Sequence, residues 1–335
     1  MIAMSRLLPL LALLLVLAVP GWARADALCD STFKVGLVPL TSLGAGTWEG
    51  MVGGLYGDAG VLRMPTAHRI AGLRAARRIV PRDTDGNVDM ADGVMVKATC
   101  GHSWNGHYFG LAYGESLAIE TGLIDSLIHI NASKGGSTAW EWAGNGSAPE
   151  DTMWAHFRYK VVTQAGRSHK QVQMLDVTLA DYPAAECSQA YVDSCAANIL
   201  AFVVMAKDSC ENLQIIRFYP HGYQGYADGT PIPEPCAYAS GFAIRKAIND
   251  HMENPVADVW IGWGAYTWAN GTTPNRDGLT YQCEDLEVTD GVHLSADVGR
   301  PKLVSYILDA GRTDAIARRS LYVRTPEELL CADCF

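Results

Sequence analysis

Between Val94 and Ala310, short apolar, β-branched runs alternate with longer stretches of helical character. The runs Val94–Thr99, Leu127–Asn131, Val172–Leu179, Leu213–Phe218 and Val259–Gly262 have strand length and turn residues between them, which predicts five strands. Helices are predicted near Ser137–Trp142, Ser188–Lys207, Ala239–Met252 and Arg300–Ala310. The alternation predicts βαβ units, hence an α/β fold with three layers (α/β/α) around a mostly parallel sheet of about five strands. Ligands of such sheets bind beyond the carboxyl ends of the strands. Two stretches stand outside this pattern. Val35 to Gly60 carries eight glycines without a period and reads as an irregular leader folded onto the domain. Trp263 to Gly271 reads as an aromatic loop.

The amino terminus predicts export. Arg6, the apolar stretch Leu7 to Val19 and the small residues around Ala23-Arg24-Ala25-Asp26-Ala27 form a signal-peptide pattern over residues 1–27. No other segment reads as a membrane span, so the expectation is one domain over 28–310 and a tail over 311–335, secreted or periplasmic. Nine cysteines suit an oxidising compartment, and their odd number leaves one unpaired or shared between molecules. The terminal Cys331-x-x-Cys334 lacks a second ligand pair for zinc and reads as a disulfide clamp onto Cys29 or onto the helix bearing Cys187 and Cys195. Sequons begin at Asn131, Asn145 and Asn270. A 49% hydrophobic composition supports a sizeable core, and a formal charge of −10 without a Lys/Arg cluster argues against a nucleic-acid partner. The basic residues in Arg69 to Arg82 and in Arg312 to Arg324 read as solvated helix faces.

Candidate chemistry falls at the ends of the predicted strands. Asp290-Gly291-Val292-His293 puts a carboxylate and an imidazole on one turn, and Gly101-His102-Ser103 follows the first strand. A serine hydroxyl is a weak nucleophile until a base takes its proton, and an acceptor must hold that base in the right tautomer. Ser103, His293 and Asp290 supply those roles. The glycine turn in Asn131–Thr138 offers backbone N–H groups to an oxyanion at Ser103, Gly136 or, alternatively, Gly135. The G-x-S-x-G elbow of α/β-hydrolases is absent, since residues 101–105 read G-H-S-W-N. His102 and His107, five positions apart, do not share a helix face, so no metal site is expected. His221, after a predicted strand, is a rival base. Trp263, Tyr266 and Trp268 read either as core or as a substrate wall.

Taken together, Gly101-His102-Ser103, Lys134-Gly135-Gly136-Ser137 with Trp140 and Trp142, and Asp290-Gly291-Val292-His293 resemble the blocks of the SGNH (GDSL-like) hydrolase superfamily, nearest its sialate O-acetylesterase-like branch. Gly53-Gly54-Leu55-Tyr56 and Pro233-Glu234-Pro235 extend the likeness to uncharacterised secreted bacterial proteins. The resemblance implies a flavodoxin-like hydrolase fold and a cofactor-independent serine esterase. Its substrate would be a small-molecule or carbohydrate ester, cleaved through an acyl-enzyme on Ser103 with His293 as base and Asp290 as orienter. The chain departs from the pattern at Trp104 and at Leu179-Ala180-Asp181, where an Asp stands in place of the superfamily's third oxyanion donor. Asn105 or Asn198 would have to replace it. The alternatives are a catalytically weak or inactive glycan-binding protein of the same fold, and acyl transfer in place of hydrolysis.

Overall fold

The computed structural model describes residues 35–120, 122–146, 152–183, 186–227 and 229–322. The leader, Cys29, Cys331 and Cys334 lie outside them. Five parallel strands form the central sheet: β1 Met95–Gly101, β2 Leu127–Asn131, β3 Val172–Thr178, β4 Ile215–Phe218 and β5 Trp260–Trp263, in the order β2-β1-β3-β4-β5. This is the flavodoxin-like order, and its reversal at β1 opens a crevice between the carboxyl ends of β1 and β3. The strands are short and apolar on both faces because both are covered, as parallel sheets require. All five match the predicted runs to within two residues at either end.

The helices are α1 Thr66–Arg77, α2 Ser103–Tyr108, α3 Leu111–Ile119, α4 Ala139–Trp142, α5 Met153–Arg158, α6 Gln189–Ser209, α7 Cys236–Glu253, α8 Gly299–Thr313 and α9 Ala315–Leu321. One sheet face, with Val96, Ala98, Leu175, Val177, Ile216 and Phe218, packs with Ile199, Phe202 and Val203 of α6 and Ala243 and Ala247 of α7. The other face sends Met95, Met174, Ile215 and Trp260 against Leu73 and Ala76 of α1 and Ile316, Ala317 and Leu321 of α9. The packed body therefore runs past Gly311, and residues 315–321 belong to the core and not to a tail. Apolar spacing of Ile316, Ala317 and Leu321 on one short helix is what draws the chain back.

Three further features bear on the expectations. Helix α6 is long and apolar enough to cross a membrane, with a mean hydropathy of 1.4, although no such segment was expected. Its residues Val192, Cys195, Ile199, Phe202 and Val203 are core contacts here, between α7, α4 and the sheet. Cys187 bonds to Cys236, tying the start of α6 to the start of α7, while Cys100, Cys195 and Cys210 are free and buried. The segment from 35 to 60 does fold onto the domain: it holds a helical turn at Leu40–Leu43 and a small hairpin, Thr47–Trp48 with Met51–Val52. Leu40 and Tyr56 are buried.

Candidate functional site

The crevice begins with a glycine. At Gly101 φ is +129°, and a Cβ there would lie 2.1 Å from the Thr178 carbonyl oxygen of β3. Only glycine lets β1 leave its neighbour this closely. His102 then caps α2, its Nδ1 accepting from the Trp104 N–H at 3.3 Å, and Ser103 occupies the first helical position. Asn105 ties this turn to its surroundings: Nδ2 donates to the Cys100 carbonyl at 2.7 Å and to Ser133 Oγ at 2.9 Å, and Oδ1 accepts from Thr178 Oγ1 at 3.0 Å. With its amide protons committed to these acceptors, Asn105 is not an oxyanion donor.

The glycine loop sits beside Ser103. Lys134 N donates to the Gly101 carbonyl at 2.8 Å, and Asn131 Oδ1 accepts from Ser133 N at 3.1 Å. Gly136 has φ +73°, and its carbonyl accepts from Tyr182 Oη at 2.6 Å. The carbonyl is thus held, while the N–H groups of Ser103, Gly135 and Gly136 have no acceptor among the described residues. A capping box of Thr138 and Glu141 starts α4 immediately after the loop. Asp181 Oδ1 accepts from the Trp140 N–H and Oδ2 from Asn198 Nδ2, both at 2.8 Å. Burial raises its pKa against those hydrogen bonds. Asp181 and Asn198 therefore hold the start of α4 and are consumed by each other.

The Asp290 turn is built as its spacing suggests. Oδ1 accepts from the N–H groups of Val292 at 2.8 Å and His293 at 3.0 Å, leaving Oδ2 to meet His293 Nδ1 at 2.7 Å. Burial alone would raise the Asp290 pKa, but the hydrogen bonds from His293 and Val292 outweigh it and hold the group below the usual carboxylate range. Gly291, at φ +61°, passes so close to Tyr226 that a Cβ would lie 2.4 Å from its carbonyl oxygen.

The two turns meet through a residue that sequence reasoning set aside. His107 is four positions after Ser103 on α2, hence on the same helix face, and its ring stacks on that of His293 with centroids 4.9 Å apart and planes at 25°. Ser103 lies one helical turn before this ring pair on α2. No hydrogen bond from Ser103 Oγ is present among the described residues. Burial, with Arg300 and His293 nearby, pushes the His107 pKa down to about 4. The rings of His102 and His221 lie 4.7 Å apart, tilted by 31°, and burial lowers the pKa of both, His221 to about 4. His221 Nδ1 lies 2.9 Å from the Gly222 carbonyl, so that ring is buried and neutral against His102 and Trp104. The i, i+4 spacing of Ser103 and His107 was the signal available in the sequence.

The aromatic loop is core. Trp263, Tyr266 and Trp268 are 8%, 3% and 0% exposed, so these side chains pack inside and do not wall the crevice beside Ser103. Their polar atoms are engaged inside: Trp263 Nε1 donates to the Leu55 carbonyl, Tyr266 Oη accepts from Leu40 N, and Trp268 Nε1 donates to Glu234 Oε1. Asn270 is buried too, accepting from Val35 N, which removes that sequon from the surface. The exposed aromatic side chains near the crevice are instead Trp140 and Tyr182, at 48% and 44%.

No family profile and no curated protein matches the chain. Solved structures similar to it include a Bacteroides fragilis NCTC 9343 protein named by inference as an acylhydrolase, at 12% identity and TM-score 0.35, covering 74% of this chain and 97% of that one. A carbohydrate esterase described as having divergent catalytic and non-catalytic binding functions aligns at 11% identity and TM-score 0.37, over 67% of this chain and 66% of that one. An acetyl xylan esterase of the rumen bacterium Butyrivibrio proteoclasticus aligns at 9% identity and TM-score 0.34, over 69% and 64%. The chain spans about two thirds of the length of the latter two.

Proposed function

We propose that the protein is an ester hydrolase with Ser103 as nucleophile, His293 as general base and Asp290 as its orienter. The observation that carries this reading is the Asp290-bonded imidazole of His293, stacked on His107 one helical turn after Ser103 on α2. With Nδ1–H donated to Asp290, Nε2 is the unprotonated nitrogen and takes the Ser103 hydroxyl proton as the oxygen attacks the acyl carbon. Catalytic hydrogen bonds tighten when substrate binds, and on this reading the bond from Ser103 to His293 forms then. The unpaired N–H groups of Ser103 and Gly136 receive the oxyanion, Gly135 being the alternative. His293 returns its proton to the alkoxide leaving group. Water, deprotonated by the same ring, then releases the acid from the acyl-serine.

The substrate we propose is an acylated carbohydrate or small alcohol, its ring resting on the exposed faces of Trp140 and Tyr182 beside the oxyanion loop. An exported location fits the Cys187–Cys236 disulfide. A second reading, a glycan-binding protein of the same fold with little turnover, is favoured by the unbonded Ser103 hydroxyl and by an acceptor, Asp181, in the place of a third donor.

Purified protein is expected to hydrolyse p-nitrophenyl acetate, and Ser103→Ala to abolish that activity with an unchanged melting temperature. Equal rates in the two proteins would exclude the serine mechanism. Trp140→Ala should raise KM for an acetylated xylo-oligosaccharide while leaving p-nitrophenyl acetate hydrolysis intact. Binding of that oligosaccharide without turnover would select the second reading.

A further inference from the structure

A cavity of about 580 Å³ lies away from the crevice, between the edge of the sheet at β5 and helices α3, α8 and α9. Its floor borders a buried charge cluster. Asp176, in the middle of β3, bonds Lys97 of β1 at 2.5 Å and Arg217 of β4 through two hydrogen bonds of 2.8 and 3.1 Å. Lys97 and Asp176 are completely buried and Arg217 is 7% exposed. Lys97 also donates to Tyr113 Oη at 2.8 Å and lies over the Phe109 and Tyr113 rings. Two cations thus share one carboxylate, and no second carboxylate bonds the cluster among the described residues. A buried excess charge without a partner is costly, by several kcal/mol.

The unmatched donors belong to cavity-lining residues. Arg217 spends Nε and Nη2 on Asp176, and its Nη1 has no partner among the described residues. Tyr113 accepts from Lys97, which leaves its own proton without an acceptor there. Around them Leu55, Leu117, Trp263 and Leu321 supply apolar wall. Asp277, Asp309 and Asp314 stand along the lining farther out and disfavour a multiply charged anion.

We propose that this cavity binds a small organic carboxylate, its single charge neutralising the Lys97–Asp176–Arg217 cluster and its apolar body lying against Leu55, Leu117 and Trp263. One negative charge matches the excess of one, whereas a phosphate brings more charge than the acidic lining tolerates. The volume lies in the range of ligand pockets and admits a medium-chain or aryl acid. This site is separate from the crevice and does not depend on the esterase reading.

Calorimetric titration of the full chain with octanoate at neutral pH tests it, beside octanamide and inorganic phosphate. One octanoate per chain is expected with a Kd below about 1 mM, at least about tenfold tighter than octanamide, and phosphate is expected to give no heat. Leu117→Trp, which fills the cavity, and Tyr113→Phe, which removes a donor, should each weaken octanoate binding about tenfold or more in proteins that still melt cooperatively. Ser103→Trp, which blocks the crevice, should leave it unchanged. Octanoate failing to bind, octanamide binding as well as octanoate, insensitivity to both cavity variants, or loss in Ser103→Trp would overturn the proposal.

Discussion

Replacing Asp290 by Asn tests the proposed mechanism at the atom where it is most specific. In the native turn Oδ1 serves two backbone N–H groups, at 2.8 and 3.0 Å, and Oδ2 serves the imidazole at 2.7 Å. An amide keeps the backbone pair only by pointing its oxygen inward, which turns Nδ2 toward His293. Two donors then face each other unless the ring gives up its Nδ1 proton, and the proton moves to Nε2, the atom that must accept from Ser103. The wrong tautomer of a triad histidine costs about 10⁴ in kcat, equivalent to about 5 kcal/mol of barrier. The half-exposed turn keeps its backbone hydrogen bonds, so the change in folding stability should stay within about 1 kcal/mol. The assay is kcat/KM for p-nitrophenyl acetate together with the thermal midpoint. Asp290→Ala should lose as much activity and also stability, because the two backbone donors lose their acceptor. An Asp290→Asn enzyme within about threefold of wild type would refute the assignment of Asp290 as orienter, since a correctly protonated base would then not need it.

Four other tests follow from the packing. Burial pushes the Glu234 carboxyl up to about 7 despite hydrogen bonds from Gln224 N, Tyr238 N and Trp268 Nε1. The folded protein therefore holds this proton where the unfolded chain has lost it, and stability should fall by a few kcal/mol as pH rises from about 4.5 to 7. Glu234→Gln should flatten that slope in chemical denaturation, and parallel curves for the two proteins would contradict the assignment. Gly101→Ala should cost at least about 2 kcal/mol, because the added Cβ meets the Thr178 carbonyl of the adjoining strand and has no side chain to displace. A protein of wild-type stability there would mean that β1 and β3 can separate. Breaking Cys187–Cys236, which closes 49 residues, by a double Ser substitution should cost about 2–4 kcal/mol, read as a lower denaturant midpoint. Cys100, Cys195 and Cys210, being buried, should react with a thiol reagent only after unfolding.

The strands were legible because each is a short apolar run closed by turn residues, and the four helices read from the chain are long or well capped. The stretch from Ser103 to Ile119 was not, since Gly106, Gly110 and Gly114 interrupt the apolar period of two short helices that tertiary contacts nonetheless hold. The Asp290 turn was legible because its hydrogen bonds are local. The fate of the aromatic loop was not local. Trp263 and Tyr266 are core because Leu55 and Leu40, from a glycine-rich segment with no periodic signal, arrive to take their hydrogen bonds. Lys97 read as one polar position in an apolar strand. Its ion-pair partner Asp176 comes from β3 and the second cation on that carboxylate, Arg217, from β4, and only the register that sets Thr99 against Asp176 and Asp176 against Arg217 brings the three to one face.

The stacking of His107 on His293 and the hydrogen bond of His107 with Leu294 form a seam between two assemblies. On one side Asn105, Lys134 and Asn131 bind the serine turn and the glycine loop into a single unit with the sheet. On the other, Asp290 braces His293 within a turn that is further anchored by Gln224 to Val292 and by Arg300 to Glu287. On the proposed mechanism, alignment of His293 with Ser103 depends on this seam, and substitutions at His107 or along the contact of α8 with α2 would tune turnover without touching Ser103, His293 or Asp290. Such a layout lets one scaffold drift between a catalyst and a mute binder of the same ligand by sub-ångström adjustments at a position outside the reacting set.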